Sequence, residues 1–486
     1  MKRRKVERDQ DPDVPTTSDE GANWTSVKEA VLSSSPSWRE TLLNYLRSQK
    51  DDPSARESVL KAVDFHFLTH LLVSYNATTS EEDRRLYEAL ELLENTYKVN
   101  MGVVCPIVWG PTSVEIYKKR AQYGTSLHRT APDQVLELLD GIRMWQTVLD
   151  HSRPPLEGKD ARTLYAVRFL LRLFLSMMHA GSELKYRQFV EQNCLALTFS
   201  CTSSRDASVR KLAYCVLQRF LSLLQELDIE SADDRYRNLY VYLLRFFKQS
   251  IEQDAPRLPH MVSHFFARVS KLILHPESPV YTAVLSFLVL KPIIDLNNVP
   301  ELYKMLLSSS TEHHNEEREW ILKLVYEGLI EPMDYNVLQN RYGVKLILSL
   351  FPTCMINMNT RRLILSILKA AVQMPSVAHD LFYRMNLHTW IATVIDNRGL
   401  SWWEQCYLGQ IYSILIESER KYCRRSGGGD SKVSYVVALA SVRLTARQVV
   451  AAMNDIGAKP TAMENLHSIE ETLNAKWRPK KKKKSS

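Results

Sequence analysis

The sequence predicts an all-α protein, and three observations support this prediction. Apolar residues recur at a 3.6-residue spacing through most of the chain, which is typical of amphipathic helices. Strict alternation of apolar and polar residues, which is typical of half-buried strands, is rare. Glycine is scarce, with 15 residues among 486, although turn-dense β architectures and glycine-rich phosphate loops both need it. The chain is 45% apolar and 24% charged, which is an ordinary globular composition.

The first part of the chain divides into a polar terminus and a helical region. Residues 1–22 are polar and rich in charge, so we expect them to be disordered. Helical spacing begins near Trp24 and predicts a set of N-terminal helices within residues 23–157. Pro and Gly interrupt this pattern, and we predict a broken connecting segment at residues 99–157.

Residues 158–423 carry the most sustained helical pattern. Asp206 is well placed to cap the clearest helix, because its carboxylate can accept from the first free backbone N–H groups. The apolar stripe of this helix keeps one face for four turns. Its members are Val209, Leu212, Ala213, Val216, Leu217, Phe220, Leu223 and Leu224.

The start of this helix resembles the second helix of a HEAT repeat. Looser analogues begin at Asp160, Ser278, Asn315 and Asn359, and some of the intervals fall within the ~40–47 residues of HEAT and armadillo repeats. We therefore predict a HEAT/armadillo-like helical repeat array, an α-solenoid, with disordered basic termini. An irregular helical bundle is the alternative, because the periodicity is imperfect.

Three shorter segments follow the predicted array. Residues 424–432 contain Gly427-Gly428-Gly429 and are predicted to be a flexible loop. Residues 433–475 are predicted to form terminal helices, and residues 476–486 are a Lys-rich tail.

Positive charge is concentrated at the two ends. The chain has 63 Lys and Arg against 55 Asp and Glu, a net charge of +8; residues 1–8 carry +4 and residues 476–484 carry +7, which leaves −3 for the rest. We predict that these cations serve in nuclear or nucleolar targeting or contact RNA phosphates. A solvated tail without a receptor is the alternative. The cations are Lys2, Arg3, Arg4, Lys5, Lys476, Arg478, Lys480, Lys481, Lys482, Lys483 and Lys484.

No recognisable motif of an active site, metal centre or cofactor site occurs in the sequence. Phosphate-binding glycine loops, the zinc-protease motif and the nucleophile elbow are all lacking. His313, His314 and Glu317 have a spacing that suits a metal, but we interpret them as polar residues at the start of a helix. Seven Cys at irregular spacings give no zinc pattern and fit a reducing compartment. We therefore predict a protein that is not an enzyme, with no catalytic residue, metal ligand, cofactor, small-molecule substrate or membrane partner.

Several stretches between about residues 105 and 395 have the order and density of one known family. They include Trp109-Gly110-Pro111, Ser203-Ser204-Arg205-Asp206, Lys291-Pro292, Asp295-Leu296-Asn297, Val299-Pro300-Glu301, Glu317-Arg318-Glu319-Trp320 and Asp334-Tyr335. They resemble the C-terminal region of the nucleolar pre-ribosomal-associated protein 1 family. The residues that we expect to be structural members of the family motifs are Asp206, Arg210, Lys291, Pro292, Arg318 and Trp320.

The resemblance implies an α-helical scaffold of the nucleus and nucleolus that acts in early large (60S) ribosomal subunit biogenesis. It implies pre-60S assembly factors as partners, among them a complex that contains an RNA helicase, together with small nucleolar RNP machinery and pre-rRNA. The alternative is a generic HEAT-repeat adaptor, of the nuclear transport or phosphatase-scaffold type, without an RNA role. The position of Trp320 on an apolar stripe also leads us to expect a core anchor there.

Overall fold

The computed structural model describes residues 24–101, 109–110, 132–153, 164–179, 184–227, 234–290, 293–309, 312–353, 356–395 and 399–425. Every regular element within these ranges is a helix and none is a strand, which confirms the all-α prediction. None of these helices combines the length and the apolar character that crossing a membrane requires.

Several predicted features fall outside the described residues. They are the N-terminus at residues 1–22, the terminal helices at 433–475 and the Lys-rich tail at 476–486. The last described helix ends at Arg425, so the first two residues of the predicted 424–432 loop are helical and the others lie outside the described ranges.

The chain divides into two compact units, Met1–Leu138 and Leu139–Ser486. The helices of the first unit are α1 (Trp24–Leu32), α2 (Trp38–Ser48), α3 (Pro53–Ala62), α4 (Phe65–Val73), α5 (Glu81–Asn95) and α6 (Pro132–Glu137). Its core forms where α1 and α5 pack against α2. The buried Trp24 ring lies 5.5 Å from the Tyr45 ring and 5.7 Å from the Phe67 ring.

The second unit contains sixteen helices within the described ranges. They are α7 (Gly141–Asp150), α8 (Val167–Met177), α9 (Tyr186–Glu191), α10 (Cys194–Cys201), α11 (Ala207–Glu226), α12 (Asp234–Gln249), α13 (His260–Leu272), α14 (Tyr281–Leu290), α15 (Leu302–Leu307), α16 (His314–Gly328), α17 (Pro332–Gln339), α18 (Gly343–Leu350), α19 (Met358–Val372), α20 (Pro375–Tyr383), α21 (Leu387–Ile395) and α22 (Trp402–Arg425). α7 lies inside the segment that the sequence predicts to be broken, because the capping carboxylate of Asp140 starts a new helix there.

Five helices of the second unit form a row. α10 packs against α13, α13 against α16, α16 against α19, and α19 against α22. α11 lies beside α8, α10 and α12, while α20 packs against both α19 and α22. Consecutive members of the row are therefore neighbours in space although other helices separate them in the sequence.

Two members of the row, α10 and α13, are buried on nearly all sides. All eight residues of α10 are buried, as are eleven of the thirteen residues of α13. Buried polar groups on such helices need hydrogen-bond partners within the protein. The Thr202 hydroxyl, just after α10, lies 3.0 Å from the Ser263 hydroxyl, and the Tyr240 hydroxyl donates to the Ser270 carbonyl oxygen at 2.9 Å.

Several helices begin directly after a residue with a left-handed backbone. Asn193, Glu301, Tyr342 and Asn386 have φ values between 50° and 61° and immediately precede α10, α15, α18 and α21. Such angles are unfavourable for residues that carry a Cβ atom. The packing of the helices on either side must therefore hold these sharp joints in place.

α13 and α16 approach closely at Gly328. A Cβ atom on Gly328 would lie 2.7 Å from the Met261 Cα atom, which is backbone and cannot rotate away. We expect Gly328→Ala to lower the free energy of unfolding by about 1–3 kcal/mol through overpacking. That loss exceeds the ~1 kcal/mol that Ala gains over Gly in helix propensity. Urea denaturation of the purified chain measures the difference.

Gly141→Ala is the matched control. There a Cβ atom would meet the Gln192 Oε1 atom at 2.9 Å, which is the far end of a flexible side chain. The control should change the unfolding free energy by less than about 0.5 kcal/mol. Equal losses for the two variants would contradict the close approach of α13 and α16.

His264, on α13, makes folding stability depend on pH. Its side chain is fully buried, and neither ring nitrogen has a hydrogen-bond partner in the described ranges. Burial, reinforced by the charges of nearby His260 and His151, holds the pKa of His264 well below its usual value. The unfolded chain binds a proton at His264 below about pH 6.5 while the folded chain does not. The stability is therefore fully present above that pH and falls as the pH decreases.

We expect His264→Leu to reduce the slope of unfolding free energy against pH below pH 6.5 by up to about 1.4 kcal/mol per pH unit, which is one proton. Denaturant titrations between about pH 4.5 and about pH 7.5 measure that slope, because this range lies on both sides of the usual His pKa of about 6.5. His275→Leu removes an exposed histidine and serves as the control. An unchanged slope in His264→Leu would show that His264 is not buried in its neutral form.

Candidate partner-binding groove

The structure describes only some of the residues that the sequence singles out. Lys291 and Pro292 lie outside the described ranges, as do all the terminal cations. The terminal cations are Lys2, Arg3, Arg4, Lys5, Lys476, Arg478, Lys480, Lys481, Lys482, Lys483 and Lys484. Their targeting and RNA-contact roles therefore remain predictions from sequence.

Asp206 caps α11 as the sequence predicts. One oxygen of its carboxylate accepts from the Ser208 backbone N–H at 2.8 Å, and the other accepts from the Arg168 guanidinium at 2.6 Å. The hydrogen bond from Arg168 lowers the pKa of Asp206 to about 2. Arg210 lies one turn into the same helix and donates to the carbonyl oxygens of Ser204 and Arg205. Both residues thus fix the loop that leads into α11.

Arg318 and Trp320 both lie on α16. The buried Arg318 guanidinium donates to the carbonyl oxygens of Leu306 and Ser308, so it caps the C-terminal end of α15. Trp320, the expected core anchor, is half-buried. The inward face of α16 passes through Ile321 and Leu324, which leaves the indole at the edge of the core, 6.1 Å from the Phe265 ring.

His313 and His314 lie at the start of α16, as the sequence analysis interprets them. His313 is the N-cap residue, and its side chain makes no capping hydrogen bond. Both histidines precede the buried face of the helix, which begins with the charged residues Glu317 and Arg318 and continues with the apolar Ile321.

A polar cluster with buried carboxylates at its centre and the exposed Arg205 at its edge joins residues that are far apart in the sequence. The Asp334 carboxylate accepts from the His260 backbone N–H at 2.7 Å and from the Glu331 backbone N–H at 2.8 Å, and it contacts the His260 Nδ1 atom at 3.1 Å. Glu331 accepts from Arg205 at 2.7 Å and from Arg257 at 2.6 Å. We call these five residues the Asp334 cluster.

The electrostatics of this cluster are those of a structural clamp. Burial raises the pKa of Glu331, but the hydrogen bonds from Arg205 and Arg257 outweigh it and hold the pKa below its usual value. A charged carboxylate is stable there because two guanidinium groups pair with it. Asp334 itself is fully buried. Both carboxylates of the cluster are paired with its own members, whereas the buried His260 Nε2 atom has no hydrogen-bond partner among the described residues.

A surface groove lies beside the segment that carries the most specific resemblance. It has a volume of about 320 Å³ and is lined by residues 293–295 and 298–304, together with Phe287 from α14 and Arg341 from the turn before α18. The floor includes the buried side chains of Ile294 and Leu302. The residue before α15, Glu301, has its left-handed backbone within this lining.

Two buried polar atoms of the groove lining have no hydrogen-bond partner within the described ranges. They are the Tyr303 hydroxyl oxygen and the Asn298 Oδ1 atom. The Asn298 amide nitrogen already donates to the Asp295 carboxylate, which fixes the orientation of the side chain. Unsatisfied buried polar atoms are rare in native proteins because each costs about 1–3 kcal/mol. A ligand with both hydrogen-bond donors and acceptors would satisfy them once the lining opens locally, because both atoms are enclosed in the structure.

The rim of the groove is charged and its flank is apolar. Arg341 lies 4.0 Å from the Asp295 carboxylate, and Lys304 lies 3.6 Å from the Glu301 carboxylate, so the rim carries both signs. Ile293 is 60% exposed, and Leu290, at the end of α14, is 76% exposed. Polar rims around exposed apolar side chains are typical of protein-binding surfaces.

The sequence indicates some of the groove residues but not the groove itself. Asp295, Val299, Pro300 and Glu301 belong to the stretches that carry the resemblance, but nothing in the sequence gives them a binding role. Arg341 is about 40 residues away in the sequence and carries no signal of its own. The run of alternating Pro, Asn and apolar residues after α14 is the only pattern that marks an irregular segment there.

Comparison with known proteins confirms the predicted resemblance. A family model described as nucleolar pre-ribosomal-associated protein 1 matches residues 195–390. The human protein of that name is 29% identical over 371 residues, which cover 72% of this chain and 16% of the human protein. The mouse protein is 27% identical over 422 residues, which cover 80% of this chain and 18% of the mouse protein. The chain thus spans less than a fifth of the length of these two relatives, and no solved structure matches it.

Proposed function

Because the resemblance to the nucleolar pre-ribosomal-associated protein 1 family is confirmed, we propose that the chain is a nucleolar scaffold in early 60S ribosomal subunit biogenesis. In this role it supports pre-rRNA processing without catalysing a reaction, by binding assembly factors and rRNA. The match over residues 195–390 carries the proposal. The partners would include a helicase-containing complex and small nucleolar RNP machinery, in the nucleus and nucleolus.

The arrangement of the helices supports a HEAT/armadillo-like form for this scaffold. The last three members of the row, α16, α19 and α22, begin at His314, Met358 and Trp402, at intervals of 44 residues. HEAT and armadillo repeats have periods of ~40–47 residues. The earlier members, α10 and α13, begin at wider intervals, so the repeat would be regular only towards residue 425. Repeat arrays of this kind present extended surfaces to large partners.

The groove supports a role in binding protein segments. Its two unpartnered polar atoms, on Asn298 and Tyr303, suit the N–H and C=O groups of an extended polypeptide. The exposed Ile293 offers contact to an apolar side chain of the same segment. We propose that an assembly factor places such a segment in the groove while the cations of the tail contact rRNA.

The first test compares sedimentation of the full chain with large-subunit precursors. We expect wild-type chain to sediment with them, and Ile293→Asp combined with Tyr303→Phe to weaken this association by roughly tenfold or more, since hot-spot losses exceed about 1–2 kcal/mol. Ile293 is exposed, and Tyr303→Phe removes only a hydroxyl that has no hydrogen-bond partner among the described residues, so the fold should tolerate the changes. The distribution across a sucrose gradient measures the bound fraction.

Ile142→Asp is the matched control, because Ile142 is 73% exposed and lies outside the groove lining. It should sediment like the wild type. A wild-type chain that is absent from precursor fractions would contradict the proposed function. A groove variant that sediments normally would exclude the groove while leaving the function intact.

The second test concerns the Lys-rich tail. Deletion of residues 476–486 removes seven positive charges. We expect lower nucleolar enrichment of a tagged chain and a smaller slope of log K against log salt in pre-rRNA binding, by roughly 0.7–0.9 for each phosphate that the tail neutralises. Fluorescence microscopy and a binding series across salt concentrations measure the two effects.

The matched control replaces each of Lys480, Lys481, Lys482, Lys483 and Lys484 by Arg, which keeps the charge and should keep the salt slope. Normal localisation and an unchanged slope in the deletion variant would make the tail inert. Loss of nuclear entry with unchanged RNA affinity would make it a transport signal alone. Absence of any RNA binding by the full chain would favour the adaptor that binds only proteins.

A further inference from the structure

Two neighbouring helices of the second unit bring together three side chains that bind metals in other proteins. His379 lies on α20, while Glu419 and Cys423 lie one turn apart on the same face of α22. Their ligand atoms, an imidazole nitrogen, a carboxylate oxygen and a thiol sulfur, all lie within 4.8 Å of one another. α20 packs against α22, so the packing of the helices themselves holds the three groups together.

The carboxylate is the centre of the group. Glu419 is only 7% exposed, and its Oε1 atom lies 3.7 Å from the His379 Nδ1 atom. The Cys423 thiol donates to the same oxygen at 2.8 Å. Burial and the neighbouring Glu419 carboxylate raise the pKa of Cys423 to about 12, so the thiol is protonated at neutral pH in this arrangement. One buried oxygen thus faces both other ligand atoms.

His379 is oriented towards the carboxylate without a hydrogen bond that would explain it. The imidazole ring stacks on the Tyr422 ring at 4.5 Å and lies 4.7 Å from the Tyr383 ring. These contacts fix the plane of the ring. The Nδ1 atom is buried and has no hydrogen-bond partner among the described residues. Buried polar atoms normally have a partner. A cation bound between Nδ1, Oε1 and Sγ would be such a partner for Nδ1.

We propose that His379, Glu419 and Cys423 form a binding site for a zinc ion. The mixture of nitrogen, oxygen and sulfur ligands suits Zn²⁺ and does not suit Mg²⁺ or Ca²⁺, which prefer oxygen. With metal–ligand distances of about 2.0–2.3 Å, neighbouring ligand atoms in a tetrahedral zinc site lie roughly 3.3–3.7 Å apart. The Nδ1 and Oε1 atoms, 3.7 Å apart, must approach slightly, and the Sγ and Oε1 atoms, 2.8 Å apart, must separate to about 3.5 Å when the ion binds.

Zinc binding requires one proton to leave. The S–H bond of Cys423 breaks, the sulfur electron pair binds the metal, and the proton goes to solvent. The carboxylate and the thiolate then balance the two positive charges of the ion. His379 and Cys423 are each half-buried, so water can reach the fourth coordination position. The ion would tie the C-terminal half of α22 to α20.

The sequence does not indicate this site, because its three ligands do not form a recognisable sequence motif. His379 is 40 residues before Glu419, and the i, i+4 pair of Glu419 and Cys423 is common on helix surfaces. Only the packing of α20 against α22 brings the third ligand into place. The site is also independent of the groove and of the proposed role in ribosome assembly.

Cobalt titration of the full chain tests the site, since Co²⁺ replaces Zn²⁺ and absorbs light. We expect one thiolate-to-cobalt charge-transfer band, the visible bands of a tetrahedral ion, and loss of both on addition of Zn²⁺. Cys423→Ser should abolish the charge-transfer band, because no thiolate is left at the site. His379→Ala and Glu419→Gln should weaken Co²⁺ binding by at least tenfold, since even removal of an outer-shell partner costs about 10–100-fold.

Cys406→Ser is the matched control, because Cys406 is a half-buried thiol on the same helix outside the group. It should bind Co²⁺ like the wild type. Zn²⁺ should also raise the thermal midpoint of the wild type and of Cys406→Ser, but not that of Cys423→Ser. The serine hydroxyl can still donate to Glu419, and circular dichroism of the variant checks its fold. A charge-transfer band that persists in Cys423→Ser, or the lack of any band in the wild type, would overturn the proposal.

Discussion

The carboxylate of Asp334 is the constraint on which the second unit most depends. It is fully buried, and it accepts hydrogen bonds from backbone N–H groups at the beginning of both α13 and α17. Helix N-termini carry free N–H groups and partial positive charge, so a buried anion shared by two of them satisfies both ends. Because α13 lies between α10 and α16 in the row, the position of both neighbours follows from where α13 begins.

The sequence was sufficient for the class of fold and for the helices with one apolar face. Seven of the eight stripe residues from Val209 to Leu224 are buried along α11, the eighth, Leu212, is half-buried, and Asp206 caps the helix. Such predictions succeed because the period and the capping residue are both local properties of the chain. α10 and α13 are harder to predict, since a helix that is buried all round has no polar face to reveal its period.

The candidate site could be predicted only in part, for a different reason. The groove and the Asp334 cluster are each built from segments that lie far apart in the sequence, as Arg205, Arg257 and Glu331 show. The distances between their side chains are determined by how the helices pack, and not by local sequence. Trp320 shows the limit of a periodicity argument: a one-position shift around α16 separates the buried Ile321 from the half-buried indole.

The left-handed residues Glu301 and Tyr342 have a consequence for glycine substitution at the edge of the groove. Glu301 lines the groove, and Tyr342 directly follows its Arg341. A glycine would adopt either backbone angle without the cost of about 1–2 kcal/mol that a residue with a Cβ bears. Substitution by glycine would relieve that strain yet loosen the segment that shapes the groove. Relief of backbone strain and a fixed shape of the groove would therefore respond in opposite directions to a glycine at these two positions.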